Sequence, residues 1–424
     1  MRRHRFRRFR PFPRPREGRK LPRELQARNV GRLARTLPLG VHDPGFEILL
    51  RRIDGAPFLG GNEVEVYIRG EDAFAAMCAA VANAQTEILL ESYIYKDDAT
   101  GRDFLEDLAR AAARGVVVKV LADALGSSST RSEFWREMAE RGIESRLFHP
   151  LFPRLWYQPF RDHRKILVID RRIAFTGGMN IGEEYGSTST VTRPGEPWRD
   201  THVRVIGPTA WEMAVVFAEA WTYSAGSPIE LPPLDAREAE APGARILVLD
   251  SRPNRGQAES AAALAAIVAA ARSHVWITNA YFAPGWAAVR ILGQAARRGV
   301  DVRLLLPGRT DVPIVRHAGH GYFSRLLSRG VRIFEYQGSI LHAKSLIADS
   351  YVSVVGSTNL DFRSFLFNAE SDLLILDEPT AGRLETAFLQ DLESAEEVFR
   401  PDWRHRPLLH RMGDRAARWL APVL

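Results

Sequence analysis

An α/β fold is predicted for this chain, built as two similar lobes. Each lobe is expected to be a mixed, mostly parallel sheet flanked by helices, and the two to be related by a pseudo-twofold axis. Three observations lead there. Strand-like and helix-like runs alternate along the chain, the pattern of a sheet covered by helices. The alternation occurs twice, in segments that resemble each other. With 424 residues, 46% of them hydrophobic, the chain is long enough for two lobes and can bury a large core.

The elements follow in order. Residues 1–35 hold 14 Arg and Lys against Glu17 and Glu24, a net charge of +12. Pro11, Pro13, Pro15 and Pro22 oppose a helix there and little can be buried, so 1–40 is expected to be a basic disordered tail. Phe6, Phe9 and Phe12 punctuate the basic run, a composition suited to an anionic lipid surface. The first lobe is assigned to 41–225. It opens with a helical pattern over 74–84, a buried strand over 87–95 (EILLESYIY), a helix over 104–114 and a strand over 116–121. A Pro-, Ala- and Glu-rich linker, 226–245, precedes the second lobe, 246–400. There the same series reads as a helix at 261–271, a strand at 275–282, a helix at 287–298 and a strand at 302–306. ARAAARGVVVKVL in the first half answers GQAARRGVDVRLL in the second. The final stretch, 401–424, is a basic amphipathic segment. Leu408, Leu409, Met412, Ala416, Trp419 and Leu420 share one helical face and Arg411, Arg415 and Arg418 another. Such a helix suits either a membrane interface or docking on the protein's own core.

The net charge of +7 is unevenly placed. Residues 1–35 carry +12 and 400–424 carry +4, which leaves −9 on the body between them. An acidic body argues against a nucleic-acid groove. Cys78 is the single cysteine, so intrachain disulfides and multi-cysteine metal sites are excluded, and a reducing compartment fits. The longest apolar run, 261–271, falls short of the about 20 residues that cross a bilayer.

The third part of each repeat carries the chemistry. The first half has HRKILVIDRRIAFTGGMN, with His163, Lys165, Asp170 and Asn180; the second has HAKSLIADSYVSVVGSTN, with His342, Lys344, Asp349 and Asn359. The spacings are identical and the two histidines lie 179 residues apart. His and Lys two apart on a strand point to the same face. A cation beside an imidazole can bind a phosphate oxygen while the imidazole addresses phosphorus. Asp170 and Asp349 fall at hairpin turns and are given a mainly structural role within the motif. Asn180 and Asn359 follow tight glycine turns and are expected to return toward the same face.

This duplicated His-Lys-Asp motif resembles the phospholipase D superfamily, over nearly everything from about residue 60 to 400. Within it, FRDHRKILVIDRRIAFTGGMNIGEEY, WRDTHVRVIGP, NAYFAPG and GSTNLDFRSFLFNAE look most like bacterial cardiolipin synthases, in the shorter form without N-terminal membrane spans. The resemblance implies two phospholipase D-type lobes and a ping-pong phosphatidyl transfer, from phosphatidylglycerol or a similar phospholipid to a second phospholipid alcohol. His163 would be the nucleophile and His342 the general acid/base, an assignment that the sequence alone leaves reversible. Lys165, Lys344, Asn180 and Asn359 would stabilise charge on the non-bridging oxygens. Each histidine needs an orienting carboxylate. Asp200 is expected to serve His163 and Glu370 to serve His342, with Glu184 a second choice for the former. No cofactor and no metal is expected. Hydrolysis by a phospholipase D or another phosphodiesterase is the alternative, and a nuclease is disfavoured by the acidic body. The expected partners are anionic phospholipids and the membrane surface, with no nucleic acid. The expected location is peripheral, on the inner face of the cell membrane. Leu151, Phe152, Leu155, Trp156, Tyr157 and Phe160, just before His163, are expected to form a lipid-contacting loop at the mouth of the site.

Overall fold

The computed structural model describes residues 27–150, 159–186, 196–252 and 259–420. The basic run before residue 27 and residues 151–158 of the expected lipid-contacting loop lie outside them. The first half runs α1 (Ala27–Arg35), α2 (Pro44–Asp54), β1 (Leu59–Tyr67), α3 (Gly70–Ala82), β2 (Glu87–Ser92), α4 (Ala99–Ala113), β3 (Val117–Asp123), α5 (Ser132–Glu140), β4 (Glu144–Phe148), β5 (Lys165–Ile169), β6 (Ile173–Gly177), β7 (His202–Ile206) and α6 (Thr209–Tyr223). After a short α7 (Ala236–Ala239) the second half repeats the series. It runs β8 (Ala244–Ser251), α8 (Glu259–Ala270), β9 (His274–Asn279), α9 (Gly285–Arg297), β10 (Asp301–Pro307), α10 (Pro313–Leu327), β11 (Arg332–Tyr336), β12 (Lys344–Ala348), β13 (Val352–Gly356), α11 (Phe362–Leu366), β14 (Glu370–Leu376) and α12 (Glu378–Glu393). β15 (Ala395–Glu397), α13 (Arg400–Arg404) and α14 (Leu408–Leu420) follow.

The strands form one continuous sheet, ordered β15-β11-β10-β9-β12-β13-β14-β8-β1-β7-β6-β5-β2-β3-β4. Apart from the added β15, the order read outward from the centre is the same in both directions. At the centre β8 and β1 meet antiparallel, with Leu59 opposite Ile246 and Asn62 opposite Ala244. A local twofold axis between them, perpendicular to the sheet, produces that arrangement. The two lobes are thus fused edge to edge, which leaves neither with an open edge at the seam. They also share a core, in which Val205, Phe217 and Trp221 from the first half pack with Val248, Leu373 and Phe388 from the second.

The expectation of a mostly parallel sheet is corrected. Only β2–β3, β3–β4, β9–β10 and β10–β11 are parallel; the other ten neighbouring pairs are antiparallel. Helical crossovers make parallel neighbours only in the outer part of each lobe. After β5 and β12 the chain turns straight back, and hairpin neighbours are antiparallel.

The basic tail expected over 1–40 also ends earlier. α1 packs on the alanine-rich α8, with Val30 and Ala34 fully buried. Those residues are four apart and so share one helical face.

Asp170 and Asp349 clamp the hairpins that follow the His-Lys strands. The carboxylate of Asp170 accepts the backbone N–H groups of Gln85, Thr86 and Glu87 at 2.9, 2.7 and 3.0 Å. That of Asp349 accepts those of Arg272, Ser273 and His274 at 2.8, 2.8 and 3.0 Å. Both residues have φ of 51°, in the left-handed region that aspartate tolerates in turns. Each therefore fixes the start of β2 or β9 to the far end of β5 or β12. That end is roughly 16 Å along the strand from the lysine.

Candidate active site

His163 and His342 stand just ahead of β5 and β12, on short segments that leave their own lobe and pair with the other. The His163 N–H donates to the Ala369 carbonyl at 2.9 Å, and the Ala369 N–H to that of Arg161 at 2.8 Å. Symmetrically, the His342 N–H donates to the Arg199 carbonyl at 2.7 Å, and the Arg199 N–H to that of Ile340 at 2.9 Å. Each histidine is thereby delivered to the residue after the bridge in the opposite half.

This reverses the expected pairing of carboxylates. His163 Nδ1 lies 3.0 Å from Glu370 Oε2, and His342 Nδ1 lies 2.7 Å from Asp200 Oδ2. Asp200 does not serve His163, and Glu370 does not serve His342. Sequence proximity suggested the partner within each half, but the exchanged bridges make the nearest carboxylate the one from across the twofold axis. A carboxylate only accepts, so Nδ1 of each ring carries the proton and Nε2 is left for chemistry. Glu184, the second choice, is instead ion-paired with Lys96.

Both histidines line one cavity of about 310 Å³, together with Asn180, Asn359, Tyr93, Tyr185, Tyr281 and Trp198. Burial lowers the pKa of His163, against the opposing pull of Glu370. His342 is pushed down to about 4, by burial and then by the Lys344 ammonium. Burial works to raise both carboxyls, yet Lys344 and His342 hold Asp200, and His163 and Lys165 hold Glu370, below the usual range. The site is thus set with neutral imidazoles on anionic carboxylates. Burial also pushes Lys165 down to about 7 and Lys344 to about 8.

The lysines are placed differently. Lys165 Nζ donates to the His163 carbonyl at 2.6 Å and lies 5.4 Å from the centre of the Tyr93 ring. Lys344 Nζ donates to the His342 carbonyl and lies against the ring, 2.8 Å from Nδ1 and 3.0 Å from Nε2. Asn180 Nδ2 donates to the Tyr185 hydroxyl at 3.1 Å, and that hydroxyl is 3.3 Å from His342 Nδ1. The Oδ1 atoms of Asn359 and Asn368 are buried without a hydrogen-bond partner. Both residues line the cavity, and Asn368 Nδ2 is 3.4 Å from Glu370 Oε1.

The structure therefore gathers His163, Lys165, Asn180, Asp200, His342, Lys344, Asn359 and Glu370, and holds Asp170 and Asp349 apart from them. The sequence reading missed the aromatic walls and Asn368. Tyr93 and Tyr281 extend beyond the C-terminal ends of β2 and β9, the usual binding side of parallel strands, and that was the signal available for them. Tyr185 and Asn368 lie in segments already singled out, IGEEY and FLFNAE. Phe160, at the edge of the expected lipid-contacting loop, packs against Phe367 with ring centres 6.0 Å apart. Among the described residues, the one grouping of three side chains at metal-ligand separations is His317, His320 and Asp414, outside this cavity.

The halves differ in what surrounds the histidine. Arg161 and Arg164 flank His163 and are almost completely buried. Arg164 reaches Asp250 at 2.6 Å and Glu91 at 3.3 Å. Ile340 and Ala343 hold the equivalent places around His342.

A pair of lobes with two histidines facing one cavity across a twofold axis defines the phospholipase D-like class. A family model described as "Cardiolipin synthase, PLD-like domain" matches residues 77–188 and 264–392. The chain is 38% identical over 371 residues to cardiolipin synthase A of Pseudomonas fluorescens, covering 87% of this chain and 76% of that one. It is 29% identical over 432 residues to cardiolipin synthase 1 of Bacillus cereus, covering 100% of this chain and 84% of the other. In fold it is similar to the crystal structure of a phosphatidylserine synthase from Haemophilus influenzae. That likeness has a TM-score of 0.69 at 13% identity, over 90% of this chain and 100% of the other. The chain belongs to the cardiolipin synthase family of phospholipase D-like enzymes and is a phosphatidyltransferase. No described helix is long and apolar enough to cross a membrane.

Proposed function

We propose that the chain moves a phosphatidyl group from phosphatidylglycerol to a second phospholipid alcohol through a covalent phosphohistidine. The observation that carries this is the reciprocal pairing of two buried histidines, each held at Nδ1 by a carboxylate of the other half and facing one cavity. In the first step His163 Nε2 attacks phosphorus. The bond from phosphorus to the leaving glycerol oxygen breaks, and imidazolium His342 gives that oxygen its proton. In the second step neutral His342 takes the proton of the incoming hydroxyl, which attacks phosphorus as the P–Nε2 bond breaks.

One feature supports His163 as the nucleophile. Both rings are neutral with Nδ1 on a carboxylate and both lysines donate to their histidine's carbonyl, but Lys344 also stands 3.0 Å from His342 Nε2, where an ammonium blunts that nitrogen as a nucleophile. The anionic phosphodiester supplies the charge that lets His342 take up its second proton. Lys165, Lys344 and the amide N–H groups of Asn180 and Asn359 would bind the non-bridging oxygens. Action from the inner face of the membrane, as a peripheral protein, is part of this proposal.

The test uses phosphatidylglycerol labelled at phosphorus. His342→Ala should retain label on the protein and His163→Ala should not. Label trapped in His163→Ala reverses the two roles, and phosphatidic acid as the dominant wild-type product replaces transfer by hydrolysis.

A further inference from the structure

The C-terminal helix is held to the protein by its polar side. α14 lies along α10, and Asp414 on it is buried, 3% exposed. Asp414 Oδ1 accepts from His317 Nδ1 at 2.9 Å and Oδ2 accepts from Arg406 Nη1 at 2.9 Å. His320 stands 3.7 Å from Oδ1, and its other ring nitrogen is 3.0 Å from Glu335. One turn on, Ala417 packs with Ala283, Ala318 and Phe362, and Arg418 donates to the Gly321 carbonyl at 2.9 Å.

The opposite face is bare. At about 100° per residue, Leu408, Met412 and Trp419 fall within about 40° of one another, far from Asp414 and Ala417. They are 70%, 63% and 82% exposed. The exposed Arg411 and Arg415 run along one flank of this stripe. An amphipathic helix ordinarily turns its apolar stripe inward; here the hydrogen bonds of buried Asp414 and the packing of Ala417 fix it outward. Trp286, Ile314 and Leu366 extend the exposed apolar ground. Trp286 lies under Arg418, 5.2 Å from its guanidinium. Ile314 sits between Val312 and Val315 and Leu366 follows Arg363 on α11, and those three neighbours line the active-site cavity.

We propose that this face is a bilayer-docking surface. Leu408, Met412 and Trp419 enter the acyl boundary of an anionic membrane, Arg411 and Arg415 meet its phosphates, and the mouth of the cavity is brought onto the lipid. The charge decides the occupant: residues 400–424 carry a net +4, which fits anionic headgroups. A second copy docking through the same stripe would set like charges against each other. The geometry of α14 carries the inference; only the purpose of the docking rests on the lipid substrate.

A fluorophore at the stripe tests this. In full-length Cys78→Ser protein, Ala416→Cys carries an NBD dye, which shifts to the blue and brightens on entering lipid. Vesicles of phosphatidylcholine with phosphatidylglycerol should brighten it at least twofold, and nitroxide-labelled lipid should quench it. The triple variant Leu408→Ser, Met412→Ser, Trp419→Ser should bind vesicles on the order of tenfold more weakly. Its turnover of detergent-dispersed substrate should be retained, which separates failed docking from failed catalysis. An unchanged dye on vesicle-bound protein, or triple-variant binding equal to wild type, overturns the proposal. So does a shift from dimer to monomer in the triple variant with vesicle binding intact, which would assign the face to self-association.

Discussion

At the residue scale, the exchange of carboxylates between halves gives two variants with opposite kinetic signatures. Glu370→Gln keeps the shape but no longer fixes the His163 proton, so it should slow formation of the phosphoenzyme by on the order of 10²–10⁴-fold. Asp200→Asn acts on His342 and should slow breakdown, so that label accumulates on the protein. Rapid-quench measurement of both steps checks this; pairing within each half would give the reverse signatures. A pH profile tests the lysines. The ammonium form is the one that binds phosphate, and burial pushes Lys165 to about 7 and Lys344 to about 8. The free enzyme therefore loses a binding cation as pH rises, and kcat/KM, which reports the free enzyme, should fall from about pH 7 upward. Both His-Lys pairs and both asparagines were legible in the sequence because a strand's two-residue period fixes which side chains share a face. The partner of each histidine was not, because it depends on a bridge to residues more than a hundred positions away.

At the element scale, Asp170 and Asp349 join strands rather than act on substrate. Asp170→Ala removes the acceptor of three backbone N–H groups and should cost about 2 kcal/mol in urea unfolding. Turnover per folded molecule should stay within a few-fold of wild type. The repeated α/β series was readable from hydrophobic runs and Arg-Gly helix ends. Its pairing sense was not, since runs of 5 residues such as KILVI and KSLIA look alike in parallel and antiparallel surroundings. α1 was missed because an Arg-rich composition hid a single narrow buried face, Val30 and Ala34.

At the scale of the whole molecule, the proposed docking would assign attachment to the basic ends and chemistry to the acidic body. Deleting residues 2–24 should weaken binding to anionic vesicles in low salt and spare turnover of detergent-dispersed substrate, as a sedimentation assay with parallel kinetics will show. Extending the deletion to residue 35 removes α1 from its seat on α8 and should lower the melting temperature as well. A tail needed for catalysis in detergent would contradict this division.

The bridges that cross the twofold axis also bear on inheritance. Neither half owns a working histidine, because each borrows its orienting carboxylate, so an ancestral single lobe could act only as a pair. Once duplicated and fused, the copies were free to diverge beside their histidines, as Arg161 and Arg164 against Ile340 and Ala343 illustrate. They were not free to exchange the loan. A lesion in one half is in effect a lesion in the other's catalyst. Two separately inactive chains, one altered at Asp200 and one at Glu370, could then restore each other only by trading whole lobes.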